Sequence, residues 1–286
     1  MLRREELVNT PLVSAVRYDH PDGAVILDEV EEVSSTHGVH FVESGWFRLG
    51  AGRKEWLLGE GSVFVTRPGA VHRYRHLPNT APDVCLSVVF AHGFPDTYDR
   101  CPVLTETVAT NSNRLQFLRW RLGSILGIGD KLALDCWTSD LIAALDVNQS
   151  AAAHKVYRPS QLRWYAERIE TARTILESKY TESHALAPLA GKVFMSPFQF
   201  ARVFRELVGI APHQYLIRVR LDRALRLLRD GASVTDACYD SGFGNLSHFI
   251  HSFKRCYGCS PSTLHRRPAR AWPRELRRAM ASGFEG

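Results

Sequence analysis

Between about Val25 and Phe90 the apolar positions fall into short runs: AVILDEV, VHFVESGWFRL, EWLLG, SVFVTRPG and VCLSVVF. Gly, Pro and Asn cut them at close intervals. Their length and β-branched content predict strands, and the closely spaced turns a small antiparallel sandwich or barrel. From Asn113 the rhythm changes. LQFLRWRLGSILG and LALDCWTSDLIAAL place apolar residues three and four apart, the pattern of two amphipathic helices. Asp146–Pro159, with Asn148, Gln149, Ser150 and three alanines, reads as a linker. Beyond Ser160 the period is helical except for turns and the basic stretch RRPARAWPRELRRAM. The expected fold class is α+β in two domains. A β domain spans 1–112 and a helical segment 113–147. A linker at 148–160 leads to an all-α domain at 161–268 and a basic tail at 269–286.

In the all-α part, helix limits follow from individual residues. QLRWYAERIETARTILESKY turns Leu162, Tyr165, Ile169, Ala172 and Leu176 inward, and HALAPLAGKV is a short second helix with Pro188 near its start. Ser196 is an N-cap, Pro197 takes the first helical position and Gln199 completes a Ser-x-x-Gln capping box. Pro212 opens a longer helix through HQYLIRVRLDRALRLLRD, ended by Gly231, with Tyr215, Val219, Leu225 and Leu228 as its buried stripe. Ser233 with Asp236 caps another short helix, Asn245 the next, and Ser260-Pro261 starts the last.

One stretch occurs twice. SPFQFARVFRELVGIAP (196–212) returns 49 positions later as NLSHFIHSFKRCYGCSP (245–261), aligning Phe200 with Phe249, Phe204 with Phe253, Arg205 with Lys254, Gly209 with Gly258 and Pro212 with Pro261. Two rings four apart lie on one helix face, so both copies bury the same side. A short helix, a tight turn and a second amphipathic helix make a helix-turn-helix, whose second helix presents its N-terminal residues to base edges in the major groove. Two copies tied by the 212–229 helix are expected to read two successive major-groove segments of double-stranded DNA. The residues expected at that interface are Ser196, Phe198, Gln199, Ala201, Arg202 and Arg205 in the first copy. In the second they are Asn245, Leu246, Ser247, His248, His251 and Lys254. Arg202 is expected to bond a guanine's O6 and N7 together, worth roughly 1–3 kcal/mol of discrimination, with a phosphate contact as the alternative. His251 stands equally between a base acceptor and the backbone. Arg205 and Lys254 suit phosphates, and the four phenylalanines suit the core.

Charge sharpens this division. From Tyr157 onward there are 21 Lys and Arg against 11 Asp and Glu, a balance of +10, while residues 1–156 carry −4. Such asymmetry is the footprint of a nucleic-acid domain joined to a neutral or acidic one. No apolar run approaches bilayer length, so no membrane partner is expected. The N-terminus MLRREELVN lacks the apolar core of a secretory signal, so the expectation is cytoplasmic. The six cysteines are expected as thiols. No Ser/His/Asp arrangement, phosphate-cradling glycine loop or paired-carboxylate site stands out. Neither a cofactor nor an enzyme is expected.

Residues 164–266 resemble the AraC/XylS family of bacterial transcription regulators. Its second-half pattern, G-F-x-[DN]-x-S-x-F-x-R-x-F-K and then G-x-S-P, is met by Gly242, Phe243, Asn245, Ser247, Phe249, Phe253, Lys254, Gly258, Ser260 and Pro261. The first half matches at Leu189-Ala190, Met195-Ser196, Arg202, Phe204, Gly209, Pro212, Tyr215 and RLDRALRLL. Departures are His251 for the usual arginine, Cys238 for a small residue and Leu264-His265 for an aromatic-arginine pair. The resemblance implies a cupin-like N-terminal sensor and a homodimer through 113–147, whose leucines 115, 118, 122, 134, 141 and 145 are equally able to pack back on the barrel. It also implies a small-molecule effector, and RNA polymerase as a further partner. Gly61-x6-Pro68-Gly69-x2-His72 is similar to the second cupin motif, with His37 and His40 a loose substitute for the first. One good ligand does not make a metal site, so no metal is expected and an organic effector is, with Trp46, Trp56, His72 and Tyr74 as wall residues. The alternatives are a metal-dependent cupin enzyme with a DNA-binding appendage and a thiol-based redox sensor using Cys256 and Cys259.

Overall fold

The computed structural model describes residues 3–19, 30–77, 82–91, 107–148 and 156–265. Most of the expected linker, all but Val30 of the first expected strand, Cys101 and the basic tail lie outside the described residues. The chain divides into two compact units, Met1–Tyr157 and Arg158–Gly286.

Unit one holds ten described strands: β1 (Arg3–Asn9), β2 (Val13–Asp19), β3 (Val30–Val33), β4 (Gly38–Ser44), β5 (Trp46–Ala51), β6 (Lys54–Gly59), β7 (Val63–Thr66), β8 (Val71–His76), β9 (Val84–Phe90) and β10 (Val108–Ala109). They form two antiparallel sheets, ordered β1-β2-β9-β4-β7-β10 and β3-β8-β5-β6. Among the described residues no hydrogen-bonded ladder joins the two into one closed ring. Strands β1, β2 and β10 were not predicted. The reason is visible in β1: RREELVN is almost wholly exposed and pairs with β2 through its backbone, so it carries little hydrophobic signal.

The central strands β4, β7 and β9 of the larger sheet are buried on both faces. Alternation along β4, β7 and β9 sends Val39, Phe41, Val63, Val65, Leu86 and Val88 to one side. There they meet α1 (Asn113–Ile128) and α2 (Lys131–Asn148). The other side sends Val42, Phe64 and Cys85 against Phe47, Leu49 and Leu58 of the smaller sheet. Leu115, Leu118, Leu122, Leu134, Leu141 and Leu145 are all buried in the helix-side core with Trp137. These leucines pack on the sheet within one chain, so the stripe offered for dimerisation is already covered. Trp137 donates its indole N–H to the Leu118 carbonyl at 2.9 Å, and Gln116 donates to the Gly61 carbonyl at 2.7 Å, fixing the helices to each other and to the β6–β7 turn.

Unit two is helical throughout its described residues: α3 (Pro159–Ser178), α4 (Leu186–Lys192), α5 (Pro197–Val208), α6 (Pro212–Arg229), α7 (Val234–Asp240), α8 (Leu246–Tyr257) and α9 (Pro261–His265). The caps follow the sequence. Ser196 accepts from the Gln199 amide, Ser233 from the Asp236 amide and Asn245 from the His248 amide. Gly209 and Gly258 end α5 and α8 in the left-handed region, at φ 91° and 72°. The buried stripe of α6 is Leu216, Leu221, Ala224, Leu225 and Leu228, whereas Tyr215 and Val219 are only half-buried. The shift has a cause. Helix α6 packs against α3 and α5 near its start and against α7, α8 and α9 further on, so its inward face rotates along its length.

The second core gathers Leu221, Ala224, Leu225, Leu228, Ala237, Cys238, Phe243, Phe249, Phe253 and Leu264. Phe253 is fully enclosed there. Truncation of Phe253 to alanine is expected to cost about 3–5 kcal/mol of unfolding free energy, measured by urea denaturation of the full chain. A loss below about 1 kcal/mol would show that this core is not cooperative.

Candidate nucleic-acid interface

The duplication seen in sequence is closely reproduced in three dimensions. Both α5 and α8 have twelve residues at an offset of 49. Phe200 meets Phe204 edge-on, with centroids 5.5 Å apart and planes at 65°, and Phe249 meets Phe253 with the same two values. The helices before them, α4 and α7, are seven residues each. The turns also match. Met195 N–H reaches the Ala190 carbonyl at 3.0 Å, and Phe243 N–H reaches the Cys238 carbonyl at 3.1 Å. These positions are 48 apart, so the second turn carries one extra residue, Gly244, before its N-cap.

Each second phenylalanine then packs on a tyrosine whose hydroxyl is held by a carboxylate. In the first half Phe204 meets Tyr215 at 5.6 Å, and Tyr215 donates to Glu177 of α3. Arg173, itself buried, donates from Nε to the Tyr215 hydroxyl at 2.9 Å and pairs with Glu170 at 2.9 Å. In the second half Phe253 meets Tyr257 at 4.7 Å, and Tyr257 donates to Asp222 of α6 at 2.7 Å. Burial raises the pKa of both tyrosines, so they remain donors at neutral pH.

With those faces buried, the opposite faces are left to solvent. Phe198, Arg202 and Arg205 are exposed on α5, and Ala201 is half-buried. On α8, Ser247, His248, His251 and Lys254 are exposed, together with Ile250. Four expected contacts need adjustment. Ser196 and Asn245 use their side-chain oxygens as caps. Leu246 packs partly into the second core. Gln199 does not complete a capping box: its side-chain amide donates to the Tyr165 hydroxyl at 3.2 Å, tying α5 to α3. Arg202 pairs with Glu206 one turn on, at 3.3 Å. His248 leans toward Phe243, with ring centroids 5.8 Å apart. Sequence reasoning missed Phe194, which sits in the first turn at φ 56° and is 84% exposed. Its counterpart Gly242 was the available signal.

In unit one the expected effector residues separate into two groups. His40, His72, Tyr74 and Trp56 face the space between the sheets. His40 contacts the Ser87 hydroxyl at 2.7 Å through Nδ1 and the Thr66 hydroxyl at 2.9 Å through Nε2, and it stacks on Phe64 at 4.4 Å. His72 is buried, with Ser34 Oγ 3.3 Å from its Nδ1. Trp56 and Tyr74 pack beside the apolar inter-sheet core. Trp46 does not join them. It is 49% exposed and lies over Gly59 on the outer face, because its partner in register is Gly59 and its parity is opposite to that of Phe47. His37 precedes β4, where its backbone carbonyl accepts from Phe90 at 2.9 Å. Among the described residues no three His, Cys, Asp or Glu side chains converge as metal ligands, and no helix is long and apolar enough to cross a membrane.

Comparison with known proteins gives the class first. A model of the helix-turn-helix domain family matches residues 189–267. The HTH-type transcriptional activator RhaS of Klebsiella pneumoniae is 33% identical over 245 residues, covering 80% of this chain and 84% of RhaS. The probable transcriptional regulator LumQ of Photobacterium leiognathi is 33% identical over 105 residues, and the match spans 34% of this chain and 41% of LumQ. A solved structure of a probable AraC family transcriptional regulator from Rhodopseudomonas palustris aligns at 28% identity over 37% of this chain and 99% of that one, with a TM-score of 0.34. This is therefore a DNA-binding transcription regulator of the helix-turn-helix class. The chain belongs to the AraC/XylS family.

The inter-sheet histidines have a consequence for stability. Desolvation, then the charge of His72, lowers the His40 pKa to about 3. Desolvation, then Arg67, lowers that of His72. Unfolded, each histidine takes up a proton near pH 6.5; folded, each resists it. Stability is therefore full above about pH 6.5 and is lost as pH falls toward the folded values. Chemical denaturation at pH 7.5 and pH 5 is expected to show this loss, with a shallower slope in His40→Gln. An unchanged slope would remove His40 as its source.

Proposed function

We propose that the chain is an effector-responsive, sequence-specific regulator that reads two successive major-groove segments with α5 and α8. The observation that carries this reading is the paired geometry of the two helices. Identical edge-to-face phenylalanine pairs fix which side of each helix is buried. They thereby turn Phe198, Ala201, Arg202 and Arg205, and Ser247, His248, His251 and Lys254, outward. The N-terminal turn of each helix enters the groove. Arg202 bonds a guanine, exchanging Glu206 for O6 and N7. Arg205, Lys254 and the amides at the helix starts hold phosphates. Residues 161–268 form the DNA-binding domain and 1–112 the cupin-like sensor. Residues 113–147 form a helical support for that sensor, 148–160 the linker, and the basic tail 269–286 adds phosphate contacts.

The effector is a small organic molecule that enters between the sheets beside His40, His72, Tyr74 and Trp56. Imidazoles and hydroxyls set beside the rings of Phe64 and Tyr74 suit a ligand with both polar and apolar parts. The RhaS relatives are named activators. This chain is accordingly read as a cytoplasmic activator that meets RNA polymerase beside its operator as a homodimer. With the leucine stripe of α1 and α2 already packed, pairing of two copies falls to other surfaces. An enzymatic cupin is disfavoured by the regulator names of its relatives. A thiol sensor is disfavoured by the Cys256 thiol, whose pKa is pushed up by desolvation and by Asp222, which holds it protonated.

Footprinting on DNA selected from random sequence is expected to show protection on one face over about 20 bp, two turns of groove. A single short patch would contradict tandem reading. Arg202→Ala is expected to relax preference at one base pair by about 1–3 kcal/mol, measured by competition binding. A loss spread evenly over all sequences would make Arg202 a phosphate contact. Affinity is expected to fall steeply between 50 and 200 mM salt in a binding titration, and a flat response would contradict phosphate binding by the half with 21 Lys and Arg against 11 Asp and Glu.

A further inference from the structure

Among the differences between the two reading heads, two at the start of the reading helix are apolar. Phe194 ends the turn of the first head with φ at 56°, the left-handed region in which a side chain is disfavoured. The second head has Gly242 at the same step, with φ at 88° and the same backbone bond three residues back: Phe194 N–H to Gly191 at 3.1 Å and Gly242 N–H to Tyr239 at 2.9 Å. Glycine is the residue this conformation favours, yet the first head holds a phenylalanine whose ring is 84% exposed and enters no core. Four residues on, Phe198 is 82% exposed, where the second head has Ser247. Two bare rings thus flank the N-cap Ser196 in one head, and neither has a counterpart in the other.

This end of α5 is the end that meets base edges. The major groove offers one apolar group, the thymine C5-methyl. We infer that Phe194 and Phe198 read thymine, packing on its methyl groups within the half-site under α5, beside the base bonded by Arg202. The inference rests on the DNA-reading role of α5 proposed above. Phe198 and Arg202 are one turn apart on one exposed face, so ring and guanidinium address neighbouring bases. With Gly242 and Ser247 in the equivalent places, α8 presents no aromatic ring there and its exposed apolar side chain is Ile250, so the ring-dependent methyl contact is confined to one half of the operator.

The test uses the full chain and an operator selected from random DNA. Its α5 half is identified by the base pair whose preference relaxes in Arg202→Ala. Each thymine is then replaced by deoxyuridine, which removes only the methyl group. Affinity is expected to fall about fourfold for each contacted methyl in the α5 half, and any penalty in the α8 half, where Ile250 is exposed, is expected to be the same in the parent and in the phenylalanine variants. Phe198→Ala is expected to abolish the penalty at the thymine that this ring contacts. Phe194→Gly is expected to reduce the α5-half penalty while leaving the melting temperature equal or higher, since glycine relieves the left-handed strain. Equal uridine penalties in the α5 half of parent and variants, or none there in the parent, would overturn thymine reading while leaving DNA binding intact. A lower melting temperature in Phe194→Gly would assign that ring to the fold instead. Variants that keep parental affinity for thymine DNA but lose transcription in vitro would give the rings to a protein partner. Failure to select any sequence would sink the DNA-reading proposal itself.

Discussion

Everything in the helical unit depends on one contact made twice, the edge-to-face meeting of two phenylalanines four residues apart. An aromatic pair in this geometry adds on the order of 0.5–1.5 kcal/mol to what burial already contributes. Its larger effect is directional. Two rings locked against one core leave a twelve-residue helix only one rotation about its axis, and that rotation decides which side chains reach solvent. The tyrosine behind each pair strengthens the lock from different sequence positions, Tyr215 with Glu177 in one half and Tyr257 with Asp222 in the other. The same mechanical arrangement has been built from non-equivalent residues, which suggests that the clamp itself is what each half requires.

Unit one works by a different division of labour. The central strands of its larger sheet form an interior layer, with helices on one face and the smaller sheet on the other, so β7 and β9 read as nearly continuous apolar runs. The polar residues that interrupt the central strands, His40, Thr66 and Ser87, fall on the same side and satisfy one another. Burying an imidazole and two hydroxyls is tolerable only because each finds a partner. The cost emerges when a proton is added.

How much of this was legible in the sequence varies with the signal. The repeat, the caps at Ser196, Ser233 and Asn245 and the buried phenylalanine faces were all readable, because helical period and capping chemistry are local. The helices after Asn113 were readable too, but not the surface they cover: period tells that a face is apolar, never what it meets. Strands β1 and β10 left almost no trace because edge pairing is carried by backbone amides. Trp46 was misplaced because strand parity turns on a single residue, and the Gly45 bend resets it. Gln199 looked like a capping residue by spacing, yet Tyr165, 34 positions earlier, competes for its amide. Non-local partners of that kind are invisible to any local rule.

Helix α6 is the one element common to both halves of the helical unit, running 18 residues from Pro212 to Arg229. At about 1.5 Å and 100° per residue, it acts as a gauge block between them. One amino acid added within it would swing everything downstream by more than a quarter turn, whereas a substitution on its outer side would leave the spacing intact. Tolerance to insertion and deletion should therefore be near zero along this rod, however freely its surface chemistry drifts, so relatives are expected to vary there in composition but not in length.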